Sequence, residues 1–287
     1  LEDGYGLNLR ALAVFAGEYY KNDDCVLFMP QTLDDNIYDP VDTKLVAKMH
    51  KAITIIQLKL EGQLIERHPE WGMGKRDIFR MVDFDRGTVT IDGSEYELLD
   101  KNFPTVCRKD PLSLTDAENE LMSVLENSFM HSERLNSHIR FLYSKGSMYK
   151  TINGNLLFHG CIPLDENGQL QSVNIAGTDY SGKALLDKLD EIANKAYFMQ
   201  PGEEKDYAAD YMWYLWSGAR SPLYGKDKMA FFERYFLDDK KLHKENYNAY
   251  YHFSEQAEVC GWILEMFGLD PERGHIINGH VPVKIKN

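Results

Sequence analysis

Two histidines sit beside glycines at the ends of apolar runs. Asn155-Leu-Leu-Phe-His159-Gly160 delivers an imidazole after a strand-like stretch, and His275-Ile-Ile-Asn-Gly279-His280 repeats the device near the end of the chain. Strand ends are where open α/β sheets place ligands, and imidazole is the commonest metal-ligating side chain. Taken singly, each reads better as a core histidine bonded to a carbonyl. Taken as a pair in matching His-Gly and Gly-His contexts, ligation and packing stand level. Spacing does not decide between them, and no HExxH or Cys-rich zinc pattern is present.

The cations come next. Arg140 and Lys145 precede the first of these strands, Lys150 lies just before it, and Lys226, Lys228 and Arg234 cluster after Gly225. Arg forks and Lys point charges in combination suit phosphate. A solvated face with snorkelling stems explains any one of these lysines equally well. The 224–235 run stands out because it follows a Tyr-Gly turn in an acidic chain. His243, His252 and His275 have no paired context. Cys161 reads as a small buried residue with no positioned base, not as a nucleophile. Tyr211, Trp213, Tyr214 and Trp216 read as packing.

The elements that must hold these groups follow from periodicity. Helices are predicted over Asn8–Tyr20, Val41–Arg67, 182–198, Tyr207–Ser217 and Gln256–Phe267, the last capped at Gly268. On Val41–Arg67 the apolar stripe runs through Leu45, Met49, Ile53, Ile56, Leu60 and Leu64, and Pro69 stops it. Gln31–Asp42 reads as a polar loop. Ser113 and Thr115 form an N-cap cluster for a helix reaching Ser144, broken near Ser132. Asp92-Gly93 and Asn153-Gly154 mark type I′ hairpin turns. Met229–Phe236 is short and apolar, and His275–Val283 reads as a strand.

Composition sets the bounds. The 287 residues are 44% hydrophobic and 27% charged, with 17 Tyr and 14 Phe, so the chain forms a sizeable core. A net charge of −13 argues against nucleic-acid and anionic-membrane partners. Four cysteines without CxxC spacing suggest free thiols in a reducing cytoplasm. No run of about 18 apolar residues offers a membrane span, and the first residues do not read as a signal peptide. Both ends read as cut, so the chain is expected to be a fragment.

Several runs then carry a resemblance. Asn155–Pro163 and Asn278-Gly-His280-Val resemble the latter half of a calcineurin-like metallophosphatase. Met49-His-Lys-Ala-Ile, Lys59-Leu-Glu-Gly-Gln, Ser144-Lys-Gly-Ser-Met-Tyr149, Gly225-Lys-Asp-Lys-Met, Phe232-Glu-Arg-Tyr-Phe236 and Ile277–Lys284 resemble, more narrowly, the bacterial class 3 fructose-1,6-bisphosphatases.

The resemblance implies a mixed α/β fold, the latter part of a four-layer β-sandwich flanked by helices. Its expected divisions are a helical lead-in over 1–40, a helix-plus-hairpin insertion over 41–112, and the second half of the sandwich over 113–287. It implies a two-metal site with ions about 3.5–4 Å apart, Mn2+ with Mg2+ as the other candidate. His159 and His280 would bind the same ion. The Asp-x-His, Gly-Asp-x-x-Asp and Asn-His motifs of the superfamily would precede Leu1, so no catalytic residue is expected here. Where many members continue Gly-His-x-His, Pro282 replaces the second histidine. Lys226, Lys228, Arg234, Arg140 and Lys145 are expected to bind the substrate, a sugar bisphosphate of gluconeogenesis. The partner is the missing N-terminal half, with a homo-oligomer left open. A phosphoprotein phosphatase of the same superfamily and a non-catalytic interaction module are the alternatives.

Overall fold

The computed structural model describes residues 5, 7, 9–30 and 42–281. In chain order the helices are α1 (Arg10–Tyr19), α2 (Thr43–Arg67), α3 (Asp116–Met130), α4 (Glu133–Lys145), α5 (Gly182–Phe198), α6 (Glu203–Ser217), α7 (Phe231–Phe236), α8 (Tyr250–Phe253) and α9 (Ala257–Met266). The strands are β1 (Val82–Asp83), β2 (Thr88–Ile91), β3 (Ser94–Glu97), β4 (Tyr149–Ile152), β5 (Asn155–Phe158), β6 (Val173–Ile175), β7 (Thr178–Tyr180) and β8 (His275–Asn278). The class is mixed α/β with small sheets, ordered β1-β2-β3, β4-β5-β8 and β6-β7. Among the described residues no helix is long and apolar enough to cross a membrane.

Local chemistry explains most boundaries. The Asp42 side chain accepts from the amides of Lys44 and Leu45 at 3.1 and 3.0 Å and so starts α2. Thr115 and Glu118 form a reciprocal capping box at α3. The break predicted near Ser132 separates α3 from α4. Both predicted type I′ turns have the required left-handed pairs, Asp92 and Gly93 at φ 48° and 82°, Asn153 and Gly154 at 51° and 78°. The predicted loop lies outside the described residues over 31–41.

Two compact units emerge, one of residues 1–141 with 230–244, the other of 142–229 with 245–287. In the first, the helix-plus-hairpin stretch 41–112 shares one apolar core with α1, α3 and α7. The expected stripe on α2 is corrected here. Its buried positions are Ala47, Lys51, Ala52, Thr54, Ile55, Ile56, Leu58, Lys59, Gly62 and Ile65, while Met49, Ile53 and Leu60 are only partly buried. Lys51 reaches Asp23 at 2.5 Å and Asp100 at 2.6 Å, and Lys59 reaches Glu118 at 2.7 Å and the Thr105 carbonyl at 2.8 Å. A buried ammonium survives only with such partners.

The second unit is built on β4-β5-β8. β4 and β5 form the antiparallel hairpin, and β8 joins β5 in parallel, 120 residues later in the chain. One face of this sheet carries Leu156, Phe158 and Ile276 into a core with Ile162, Leu186 and Ile263. α5 and α6 pack against each other in the same unit.

Candidate functional site

The parallel register is what brings the two histidines together. Phe158 stands opposite Asn278, so His159 follows β5 directly and His280 lies two residues past β8 at the same end of the sheet. The predicted strand to Val283 ends at Asn278 instead, because His280 has turned into the left-handed region at φ 66°. Three contacts fix the turn. Gly279 N–H donates to the His159 carbonyl at 2.9 Å, the Asn278 amide donates to the Gly160 carbonyl at 2.9 Å, and Cys161 N–H donates to the Pro222 carbonyl at 2.8 Å. Gly160 is required by close approach, since a Cβ there would lie 2.3 Å from the Pro222 oxygen.

The rings meet with His159 Nε2 3.1 Å from His280 Nδ1, centroids 5.0 Å apart and planes at 68°. Two nitrogens at that distance either share one proton or turn both lone pairs on one cation. Ligand atoms about 2.1 Å from a common ion stand about 3.0 Å apart at a right angle and about 3.4 Å at the tetrahedral angle. The pair therefore fits a single ion. Partial burial, the neighbouring His159 ring and the Lys226 charge together hold His280 below its ordinary pKa of 6.5, against a hydrogen bond to the Tyr224 main chain. The neutral, lone-pair-bearing form is thus favoured. Among the described residues no group of three or more His, Cys, Asp or Glu side chains forms a metal cage.

Each of the expected phosphate cations is placed within its own unit. Lys226 is ion-paired to Glu245 at 2.8 Å and sits over the Tyr224 and Tyr247 rings at 5.6 and 5.5 Å. Lys228 lends its carbonyl to the Tyr224 hydroxyl at 2.7 Å. Lys145 ends α4, exposed. Arg234 is exposed and donates to the His243 carbonyl at 3.2 Å; it and Arg140 belong to the first unit, whereas the histidines belong to the second. Lys150, a strand lysine with no assigned role, instead lines a cavity of about 760 Å³ together with His159, Asn278 and Gly279. The Asn153-Gly154 turn, which sets Lys150 opposite Leu157 across the hairpin, was the available signal. Cys161 is buried, and burial pushes its thiol up to about 12, in keeping with packing and not nucleophilic attack. His275 bonds the Asn155 side chain at 3.2 Å.

Residues 1–287 match the family model described as Firmicute fructose-1,6-bisphosphatase. The chain belongs to that family. Similar proteins named fructose-1,6-bisphosphatase class 3 include one from Clostridium tetani, 53% identical over 288 residues, and one from Clostridium acetobutylicum, 50% identical over 288 residues. A third, from Clostridium botulinum strain Hall, is 51% identical over 287 residues. Each alignment covers 100% of this chain and 43% of the relative. The chain thus spans under half the length of these curated relatives of the fructose-1,6-bisphosphatase family. No solved structure matches it.

Proposed function

We propose that this chain supplies part of the active site of a metal-dependent phosphomonoester hydrolase that removes the 1-phosphate of fructose 1,6-bisphosphate. The observation that carries the reading is the 3.1 Å approach of His159 Nε2 to His280 Nδ1 in a chain of this family. Both imidazoles hold the same divalent ion, Mn2+ or Mg2+. Such an ion, when bound, polarises phosphoryl oxygens and lowers the pKa of water. The residues of this chain have a narrower task. His159 and His280 present lone pairs, Asn278 and Gly279 lock the turn that aims them, and Lys226 biases His280 toward its neutral form. Lys226 takes the non-reacting phosphate first, since its charge is felt at His280. Lys228, Lys145, Arg140 and Arg234 are proposed for that task on charge alone.

The remaining ligands come from the part of the relatives' length that this chain does not span, as does the rest of a metallophosphatase sandwich around β4-β5-β8. The reaction fits sugar synthesis in the cytoplasm. The test is a panel of sugar phosphates and phosphopeptides offered, with Mn2+, to a polypeptide of the relatives' length. Fructose 1,6-bisphosphate is expected to be hydrolysed fastest, and His280→Ala to lower apparent Mn2+ affinity at least about 100-fold. A preference for phosphopeptides, or an unchanged affinity, refutes the reading.

A further inference from the structure

Lys226 and Glu245, both in the second unit, form an ion pair at 2.8 Å with side chains 22% and 11% exposed. Surface pairs ordinarily contribute little, because two long side chains must be ordered in water. Here the main chain does the ordering. Lys226 and Tyr247 form an antiparallel bridge, Asp227 N–H donates to the Asn246 carbonyl at 2.9 Å, and Asn248 N–H donates to the Gly225 carbonyl at 2.9 Å. The Asp227 carboxylate accepts from the Asn246 main-chain and side-chain amides at 2.8 and 2.6 Å. These bonds already close residues 225–227 on 246–248. The ion pair is not needed as a clip.

The pair also stands beside the histidines. The Tyr224 main chain hydrogen-bonds His280, and the Lys226 charge reaches the same ring. The Lys226 ammonium lies over the Tyr224 and Tyr247 rings, whose faces attract a cation without neutralising it. Glu245 supplies the neutralising charge. A carboxylate is therefore seated on the cation that the proposed function gives to the non-reacting phosphate. That arrangement sets a threshold. Glu245 brings a single charge, but it is tethered, so a free carboxylate at millimolar concentration competes poorly with it. A phosphate monoester carries about −1.5 to −2 at pH 7 and three acceptor oxygens, and it takes the ammonium where a monoanion does not.

We infer that Glu245 is a specificity-determining residue: its carboxylate holds Lys226 until a phosphate dianion takes the ammonium over, and so screens out monoanions. The inference rests on the proposed function and deepens it, by naming what selects the charge of the ligand at Lys226. The step is an exchange of partners on one ammonium, and no covalent bond is made or broken.

The test is anion selectivity. Inorganic phosphate and acetate are titrated separately into the metal-free 287-residue chain, and the Tyr224 and Tyr247 ring signals are followed by two-dimensional NMR. In the unsubstituted chain phosphate is expected to move both rings saturably, acetate to leave them in place, and Lys226→Gln to abolish the response. Glu245→Gln should admit acetate and narrow the phosphate-to-acetate affinity ratio at least about tenfold, and Glu245→Asp should restore it. In a polypeptide of the relatives' length, Glu245→Gln should lower KM for fructose 1,6-bisphosphate by a larger factor than it changes kcat, and make acetate an inhibitor. Should Glu245→Gln fail to fold by circular dichroism, the unsubstituted chain still decides. Rings that phosphate leaves unmoved, or that acetate moves equally, overturn the inference. So does a folded Glu245→Gln chain of unchanged selectivity, which makes the pair a structural tie only. Acquired acetate inhibition in a longer polypeptide that hydrolyses phosphopeptides and no sugar bisphosphate sinks the proposed function and leaves Glu245 in its role.

Discussion

At the scale of single residues, the pair is held by contacts that can be removed one at a time. Lys226 and His159 both disfavour a proton on His280, so His280 should titrate below 6.5 in a metal-free sample followed by two-dimensional NMR. Lys226→Gln should move its midpoint upward; an unmoved midpoint would show that the lysine charge is not felt there. Because the folded pKa lies below the ordinary one, the unfolded chain binds the proton more readily. This histidine therefore weakens folding as pH falls through 6.5, and its full stability is present above that value. Gly160→Ala meets the Pro222 oxygen at 2.3 Å and should cost about 1–3 kcal/mol in urea titration. The histidines themselves were legible because a strand-like run ending in His-Gly is a local pattern. Their distance was not, since it depends on a strand 120 residues away.

At the scale of elements, α2 shows where periodicity misleads. A lysine on a helix ordinarily marks the wet side, so Lys51 and Lys59 point the stripe the wrong way. Their partners Asp23, Asp100 and Glu118 lie 28, 49 and 59 residues off, beyond any local signal. Lys59→Met leaves the fully buried Glu118 without its ammonium, and a loss of about 3–5 kcal/mol is expected from thermal or urea unfolding. Asp23 has its own signature. Burial would raise its carboxyl, but the Lys51 ammonium and the Cys25 amide overcome that and hold it below its ordinary 3.8. Its contribution is present above 3.8 and lost as pH falls through the folded value. In Lys51→Met the Cys25 amide is left to oppose burial without the ammonium, so the loss of stability as pH falls through 3.8 should shrink. Unfolding midpoints across that range decide the matter. Caps and hairpins were readable because each is closed within a few residues.

At the scale of the molecule, the structure divides into two units that each recruit a distant piece, 230–244 for one and 245–287 for the other. Such recruitment leaves no trace in local composition. The histidine pair is equally a product of long-range pairing, and two imidazoles are a thin shell for a divalent ion. Calorimetry should find Mn2+ bound by this chain at least about 100-fold more weakly than by a polypeptide of the relatives' length. Equal affinities would mean that His159 and His280 need no help.

The parallel junction of β5 with β8 also imposes a schedule. On a ribosome adding roughly 5–20 residues each second, β5 waits about 6–24 s for its partner to be made. Throughout that interval Leu156 and Phe158 belong to a hairpin with one open edge, inviting a wrong neighbour. Newly made chains should depend on a holding chaperone during this window, and slowing translation between codons 160 and 275 should lower the yield of soluble protein.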